Sequence, residues 1–307
     1  MSDLIQLSNG VEMPKLGMGT FPLRGSILMD AVDAAHCEGY SLFDTADNYY
    51  NEPDLGEALQ NLYTKYSVQR ETLFLVSKLS DELYEPGTLG GGANKGVYFW
   101  KNSPLMQAPN AVHKVVLEKF EKSLKSLRTD YLDLLLMHWP YPDFFEEIWY
   151  EMELLYKQGR VRAIGVCNCR ERHLEKLRNN CSVFPMVNQF ETCPVNTKQS
   201  LVDYCNQNKV QVMVYSPLKS LSYKNCFAYQ DFLQSLAKKY NKGIGQIVLR
   251  FDIQRGLIPI PKSMHRNRLH DNMNVFDFVL DDDDMKTLYS FNENRAYLPE
   301  SKACPGY

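Results

Sequence analysis

The sequence predicts an α/β protein in which eight parallel strands close into a (β/α)8 TIM barrel, with an N-terminal β-hairpin closing the bottom. Eight short apolar runs rich in β-branched or aromatic residues recur along the chain, and each is followed by a polar stretch with apolar residues at helical spacing. This repeated alternation favours parallel strands closed into a barrel. An open doubly wound sheet is the main alternative, but the first run continues as GMGTFPLRG and lacks the G-x-G-x-x-G fingerprint.

Barrels of this type commonly form one domain of this size, so we expect a single domain over residues 1–307. The predicted strands are LGMGT (16–20), SLFDTA (41–46), LFLVSKL (73–79), YLDLLLMH (131–138), VRAIGVCN (161–168), MVNQFE (186–191), QVMVYSPL (211–218) and GLIPIPKS (256–263). Before them, Asn9-Gly10 predicts a type I′ hairpin turn. The run Asp281–Asp284 predicts the first turn of a late helix, where carboxylates favour the positive end of the helix dipole.

A long segment, about 80–109, interrupts the alternation after the third strand. It is too long for an ordinary connection, which predicts a loop insertion with a function of its own. Its Gly90–Gly92 run and its aromatic residues Tyr98–Trp100 favour an arm that folds over the barrel mouth. An insertion that packs on the outside of the barrel is the alternative.

Charge and composition disfavour several classes of function. The net charge of −3 and the pI near 6.1 give no overall basic character, so we expect no nucleic-acid partner. The N-terminus lacks a basic, apolar leader, and no stretch approaches the roughly 18 apolar residues of a membrane helix, which predicts a cytoplasmic protein with no membrane partner. We expect the eight cysteines to be free thiols. We expect no metal either, because the spacing of Cys167, Cys169 and His173 is not that of a zinc site.

Polar side chains collect where three consecutive strands end: Asp44 and Tyr49 after the second, Lys78 on the third and His138 on the fourth. Singly, Lys78 is compatible with a surface lysine, His138 with a core histidine, and Asp44 or the nearby Asp47 with a turn or capping residue. Together they suit a proton relay, because active sites of such barrels lie at the carboxyl ends of the strands. A lysine ammonium lowers the pKa of a nearby tyrosine, and a carboxylate keeps that lysine charged. A histidine beside them can hydrogen-bond a substrate oxygen.

An ordered series of motifs resembles the aldo-keto reductase superfamily along essentially the whole chain. The motifs are GYSLFDTADNYYNEPDLG (39–56), SKL (77–79), LLMHWP (135–140), GVCN (165–168), VNQFE (187–191), YSPL (215–218) and IPKS (260–263), followed by Arg268 and Asn272. The resemblance implies an eight-stranded barrel without a Rossmann domain, and reduction of a small-molecule aldehyde or ketone to an alcohol by NADPH. It also implies a catalytic tetrad of Asp44, Tyr49, Lys78 and His138, with Tyr49 as proton donor.

The same resemblance implies where NADPH/NADP+ binds. Asn168 and Gln189 would hold the nicotinamide carboxamide, and Tyr215 would stack on the nicotinamide ring. Ser216 and Leu218 would follow the pyrophosphate.

At the adenosine end, the resemblance implies a 2′-phosphate clamp and an adenine contact. The matching residues are Lys262, Ser263 and Arg268 for the clamp and Asn272 for the adenine. A basic cluster of Lys262, Arg266 and Arg268 in a slightly acidic protein suits a phosphate.

The sequence departs from the family pattern at a few positions. Cys167 stands where a serine usually helps to bind the carboxamide, which predicts a weaker hydrogen bond. His265 and Asp271 lie in the clamp region and bear on the preference for NADP over NAD. The third departure is the long 80–109 segment.

Three aromatic residues, Phe21, Tyr50 and Trp139, flank the predicted mouth and favour an apolar or aromatic carbonyl substrate. Two other functions compete with carbonyl reduction. A Schiff-base barrel aldolase would use Lys78 as an amine and would need it neutral. A non-catalytic NADP-binding redox sensor would keep the barrel without turnover. Nothing in the sequence indicates an oligomeric state.

Overall fold

Ten strands lie in the part of the chain that the structure describes. The structure is a computed structural model and describes residues 4–80, 110–141, 144–223 and 226–298. A hairpin is formed by β1 (Leu4–Gln6) and β2 (Glu12–Pro14). The central sheet is formed by β3 (Met18–Gly19), β4 (Leu42–Asp44), β5 (Phe74–Leu79), β6 (Leu132–Met137), β7 (Val161–Cys167), β8 (Val187–Glu191), β9 (Gln211–Tyr215) and β10 (Ile258–Pro259). Each of the eight predicted runs contains one of these sheet strands, which confirms that part of the prediction.

The central sheet curls into a closed barrel. Its strands follow chain order from β3 to β10, and neighbouring strands are parallel. The first and last strands are joined by backbone hydrogen bonds from Gly17 N to Pro259 O (3.1 Å) and from Gly19 N to Pro261 O (3.3 Å). A Cβ atom on Gly19 would lie 2.9 Å from the carbonyl oxygen of Ile260, so this close approach requires glycine.

At least one helix follows each barrel strand. Within the described ranges they are α1 (Gly25–Cys37), α2 (Glu52–Tyr66), α3 (Ala111–Leu127), α4 (Phe145–Lys157), α5 (Glu171–Asn180), α6 (Gln199–Gln207), α7 (Phe227–Tyr240), α8 (Ile244–Gln254), α9 (Arg266–Met273) and α10 (Asp282–Ser290). The predicted late helix is confirmed: Asp281 caps α10 by accepting a hydrogen bond from Asp284 N (2.9 Å). None of these described helices is long and apolar enough to cross a membrane.

The N-terminal hairpin was predicted correctly, but its turn type was not. A type I′ turn places both central residues in the left-handed region. Here Gly10 N bonds Leu7 O (2.9 Å), so Ser8 and Asn9 are central, and Gly10 follows them as the left-handed residue (φ 87°). The Asn9 side chain is occupied elsewhere: its Oδ1 accepts from Val11 N, and its Nδ2 donates to Arg162 O (2.9 Å) at the start of β7. This contact places the hairpin at the amino-terminal end of the barrel.

A buried carboxyl group lies where α2 meets the barrel wall. Glu52, the first residue of α2, is buried, and its Oε1 accepts a hydrogen bond from the Ser77 hydroxyl on β5 (2.7 Å). Burial raises the pKa of Glu52 from 4.5 to about 7. Between these values the folded protein binds more protons than the unfolded chain, so the free energy of unfolding falls as pH rises through this window.

We predict that Glu52→Gln flattens this decline, because glutamine keeps an acceptor for Ser77 but carries no titratable proton. Between pH 4.5 and pH 8, the free energy of unfolding of Glu52→Gln should fall by less than that of the parent, and the difference should be on the order of 1–3 kcal/mol. Urea unfolding across that pH range measures it. Asp252, whose pKa burial also raises to about 7, leaves a residual slope. The control is Glu57→Gln on the exposed side of α2, which should follow the parent. A decline in Glu52→Gln as steep as in the parent contradicts the assignment.

Candidate active site

An ion pair between Lys78 and Asp44 lies inside the carboxyl end of the barrel. The Lys78 ammonium donates to Asp44 Oδ1 (2.6 Å) and to the backbone oxygen of Thr45 (2.7 Å). Lys78 is 1% exposed and Asp44 is 3% exposed. Burial is the largest influence on the pKa of Lys78 and disfavours its charge, but Asp44, the first of the opposing groups, acts through its charge and its hydrogen bond, and the pKa is raised overall. Lys78 therefore stays an ammonium at neutral pH, which argues against a Schiff-base role.

Tyr49 approaches this ammonium from a short 3₁₀ helix, Asp47–Tyr49, which begins three residues after the end of β4. Lys78 Nζ lies 3.4 Å from Tyr49 Oη and 4.8 Å from the centre of its ring. We expected a lowered pKa for Tyr49, and this expectation is wrong: burial raises the pKa to about 12, although Lys78 acts in the opposite direction. Tyr49 thus retains its proton at neutral pH, as a proton donor must.

His138 completes the predicted group of four. Its ring lies edge-on to the Tyr49 ring, with centroids 5.7 Å apart. Burial, followed by the nearby charges of Lys78 and Lys119, lowers the pKa of His138 well below its usual value, so the imidazole is neutral. Its Nδ1 atom is buried and has no hydrogen-bond partner among the described residues. A neutral imidazole with spare hydrogen-bonding capacity suits contact with a substrate oxygen.

Two of the predicted nicotinamide contacts, Gln189 and Asn168, connect directly to this group, and Tyr215 connects to it through Asn168. Gln189 Nε2 donates to the second oxygen of Asp44 (2.8 Å). Asn168, in the left-handed conformation (φ 57°), donates to His138 O (3.3 Å) and accepts from the Tyr215 hydroxyl (2.9 Å). The structure therefore brings these amide groups to the edge of the tetrad.

The neighbouring predicted cofactor residues lie on the same edge. Cys167 is buried at the end of β7, and burial raises the pKa of its thiol, so it stays protonated. Ser216 is in the left-handed conformation (φ 52°) just after β9, and Leu218 is partly buried against the core. The seven cysteines within the described ranges are all free, as expected. In those same ranges, no three His, Cys, Asp or Glu side chains are arranged to hold a metal ion.

The predicted basic cluster is only partly formed. Lys262 and Arg268 are exposed, and the structure pairs neither with an acidic side chain of the described residues. Arg266 differs from these two cations, because Glu38, just after α1, pairs with its guanidinium (2.7 Å). The other oxygen of Glu38 pairs with His270 (2.7 Å).

Around this pair of cations, Ser263 and Asn272 are buried, whereas Asp271 is exposed on α9. The Ser263 hydroxyl accepts from His265 N (3.1 Å) and so shapes the turn before α9.

The predicted aromatic residues lie around the tetrad. Phe21 is 45% exposed, and its ring centroid lies 4.9 Å from that of Tyr49. Trp139 stacks beside His138 at 6.4 Å, and Tyr50 lies under the Arg24 guanidinium at 5.6 Å. Of the predicted 80–109 insertion, Ser80 is described, and the rest, with Tyr98–Trp100, lies outside the described residues.

Two carboxylates near the tetrad were not anticipated in their actual roles. Glu52, on α2, accepts a hydrogen bond from Ser77 on β5, as described above. Asp47 was considered only as a turn or capping residue, but its carboxylate accepts from Ser80 on the β5 side and from Lys119 on α3. The crowding of acids in FDTADNYYNEPD was the available signal, but the sequence does not say which strand or helix each acid contacts.

Comparison with known proteins identifies the class of this barrel. A model of the aldo/keto reductase family matches residues 15–293, and the chain belongs to this family of oxidoreductases. It is 36% identical over 300 residues to a glyoxal reductase of Bacillus subtilis, covering 97% of this chain and 96% of the relative. It is 34% identical over 299 residues to methylglyoxal reductase DkgA of Escherichia coli K12, with 97% and 96% coverage. A Bombyx mori aldo-keto reductase in complex with NADP superposes with a TM-score of 0.83 at 31% identity, covering 100% of this chain and 99% of that chain.

We predict that Asp44→Asn lowers the free energy of unfolding by about 3–5 kcal/mol, because it leaves the buried Lys78 charge without its partner. Urea unfolding at neutral pH measures this. Asp33→Asn is the matched control, since Asp33 pairs with Lys65 at the surface (2.9 Å), and its urea midpoint should barely move. If the urea midpoints of both variants shift by similarly small amounts, the buried pair does not stabilise the fold as predicted.

Proposed function

We propose that the protein reduces an aldehyde or ketone to an alcohol with NADPH, and that Tyr49 gives the proton. The observation that carries this proposal is the position of Lys78 Nζ, 2.6 Å from Asp44 Oδ1 and 3.4 Å from Tyr49 Oη. One ammonium thus links a buried carboxylate to a tyrosine hydroxyl at the barrel mouth. NADPH, when bound, supplies the hydride that reaches the carbonyl carbon.

Each side chain of the tetrad has a distinct part in the proposed reaction. Tyr49 hydrogen-bonds the carbonyl oxygen and transfers its proton to that oxygen as negative charge develops there. The Lys78 ammonium stabilises the resulting phenolate, and Asp44 keeps Lys78 charged. His138, neutral and with spare hydrogen-bonding capacity, orients the same carbonyl oxygen.

The residues present suit NADPH as the cofactor. Lys262 precedes α9 and Arg268 lies in its first turn, so two cations stand beside a helix amino terminus, and this arrangement favours a phosphate. Asn168, Gln189 and Tyr215 lie beside the tetrad, where an amide-bearing aromatic ring could be held. The NADP complex of the Bombyx mori relative supports this assignment.

For the substrate, we propose small reactive carbonyl compounds, with glyoxal and methylglyoxal as the first to test. The names of the Bacillus subtilis and Escherichia coli relatives support this choice. Phe21 and Trp139 near Tyr49 offer apolar surface, so larger aromatic aldehydes belong in the same panel. A non-catalytic redox sensor is less well supported, because the complete tetrad is assembled.

We predict that Tyr49→Phe abolishes steady-state reduction while NADPH affinity is retained, because only the proton donor is removed. NADPH oxidation with methylglyoxal measures turnover, and fluorescence titration measures binding. Tyr50→Phe, which removes the adjacent hydroxyl, is the control and should keep turnover. Near-normal turnover in Tyr49→Phe excludes this residue as the donor.

We predict that Lys262→Ala and Arg268→Ala together weaken NADPH binding by several kcal/mol, since each charge-assisted bond contributes roughly 1.5–3 kcal/mol. NADH binding should hardly change, because NADH lacks the 2′-phosphate. Arg266→Ala is the matched control: Glu38 already holds that guanidinium, so NADPH affinity should stay close to that of the parent. Equal losses for NADPH and NADH in fluorescence titration argue against the clamp.

A further inference from the structure

Asp47 connects the Tyr49 turn to the strand that carries Lys78. It is the first residue of the 3₁₀ helix Asp47–Tyr49, and its Oδ1 accepts from the backbone N–H of Ser80 (3.1 Å). The same oxygen accepts a hydrogen bond from the Ser80 hydroxyl. The other oxygen, Oδ2, accepts from the Lys119 ammonium on α3 (2.7 Å). One carboxylate thus joins the turn, the end of β5 and α3.

These contacts form a small closed arrangement with the catalytic pair. Tyr49 lies two residues after Asp47, and Ser80 lies two residues after Lys78. The two segments are joined at one side by Asp47 and Ser80 and at the other by Lys78 Nζ and Tyr49 Oη (3.4 Å). A second anchor is the Arg24 guanidinium, which donates to the Tyr49 carbonyl oxygen (3.0 Å) but does not reach β5.

The contact between Lys78 and Tyr49 is sensitive to small displacements. The distance of 3.4 Å between Lys78 Nζ and Tyr49 Oη is already longer than a typical hydrogen bond of about 2.7–3.2 Å. A further shift of the turn therefore breaks this contact. Displacements of about 1 Å in a catalytic group can lower the rate by about 100-fold.

We propose that Asp47 is a positioning residue that sets the distance between the Tyr49 hydroxyl and the Lys78 ammonium by tying the Tyr49 turn to Ser80. This inference rests on the proposed function, because it assigns Asp47 a part in presenting the proton of Tyr49. Asp47 acts through Tyr49 and does not itself contact the reacting atoms.

The test compares Asp47→Ala, Asp47→Asn and Ser80→Ala with the parent enzyme. Asp47→Ala should lower kcat by about 10- to 100-fold and raise the solvent isotope effect on kcat, because proton transfer becomes slower, while NADPH affinity stays near that of the parent. Asp47→Asn retains an oxygen that can accept from Ser80 N–H, so its kcat should fall less than that of Asp47→Ala. Ser80→Ala removes only the hydroxyl contact, so its kcat should also lie between those of Asp47→Ala and the parent.

Asp54→Ala is the matched control. Asp54 lies in the same stretch and accepts a backbone N–H, but from Gly25 at the start of α1 (2.7 Å), away from Lys78. Its kcat and isotope effect should equal those of the parent.

A readout without turnover separates this inference from the proposed function. In protein labelled with ¹³C at tyrosine Cζ, the Tyr49 resonance, assigned with Tyr49→Phe, should shift in Asp47→Ala and not in Asp54→Ala. An unchanged resonance, or a kcat loss without a larger isotope effect, overturns the positioning role. If Asp47→Ala does not fold, Asp47→Asn and Ser80→Ala decide by the same two criteria. A parent protein that reduces no carbonyl, yet shows the expected shift, contradicts the proposed function alone.

Discussion

The buried ion pair between Lys78 and Asp44 is the interaction on which the rest of the site depends. A charged ammonium inside a barrel is stable only with a partner and with hydrogen bonds for its remaining protons. Asp44 and the Thr45 carbonyl supply these at 2.6 and 2.7 Å. The second oxygen of Asp44 binds Gln189, so one carboxylate joins β4, β5 and β8 across the barrel. The requirement to satisfy one buried charge thereby fixes three strand ends relative to each other.

A second buried pair shows that such a pair does not by itself make a site. Asp252 and Arg255 lie on and just after α8, and Arg255 also donates to Thr192 and to the Thr197 carbonyl oxygen. This pair holds the loop after β8, and its guanidinium lies over the face of the Tyr289 ring (5.5 Å to the centroid), with no hydrogen bond to a tyrosine hydroxyl among the described residues. The Lys78 pair differs because its ammonium also reaches Tyr49 at the barrel mouth. Burial and charge compete at Tyr49, and burial prevails, so the hydroxyl keeps its proton at neutral pH.

The sequence allowed two things to be predicted, the eight barrel strands and the meeting of Asp44, Tyr49, Lys78 and His138, because apolar runs mark the strands and these polar residues lie at or soon after the strand ends. Other features depended on contacts between distant segments. Arg266 was assigned to the basic cluster from its position, and its pairing with Glu38, just after α1, could not be read from the sequence. The hairpin turn differs from the predicted type because the Asn9 side chain bonds Arg162 on β7. The direction of the Tyr49 pKa shift depends on how deeply the side chain is buried, and the spacing of residues along the chain does not reveal this.

The most direct test of the account mixes the purified protein with methylglyoxal and NADPH that carries deuterium at the transferable position, followed by mass spectrometry of the product. The account predicts an alcohol with one deuterium on the former carbonyl carbon, and one NADP+ formed for each alcohol. It is contradicted if no deuterated alcohol forms from any aldehyde or ketone in the panel, or if borohydride fixes the carbonyl compound covalently on Lys78, because that adduct requires a neutral lysine amine.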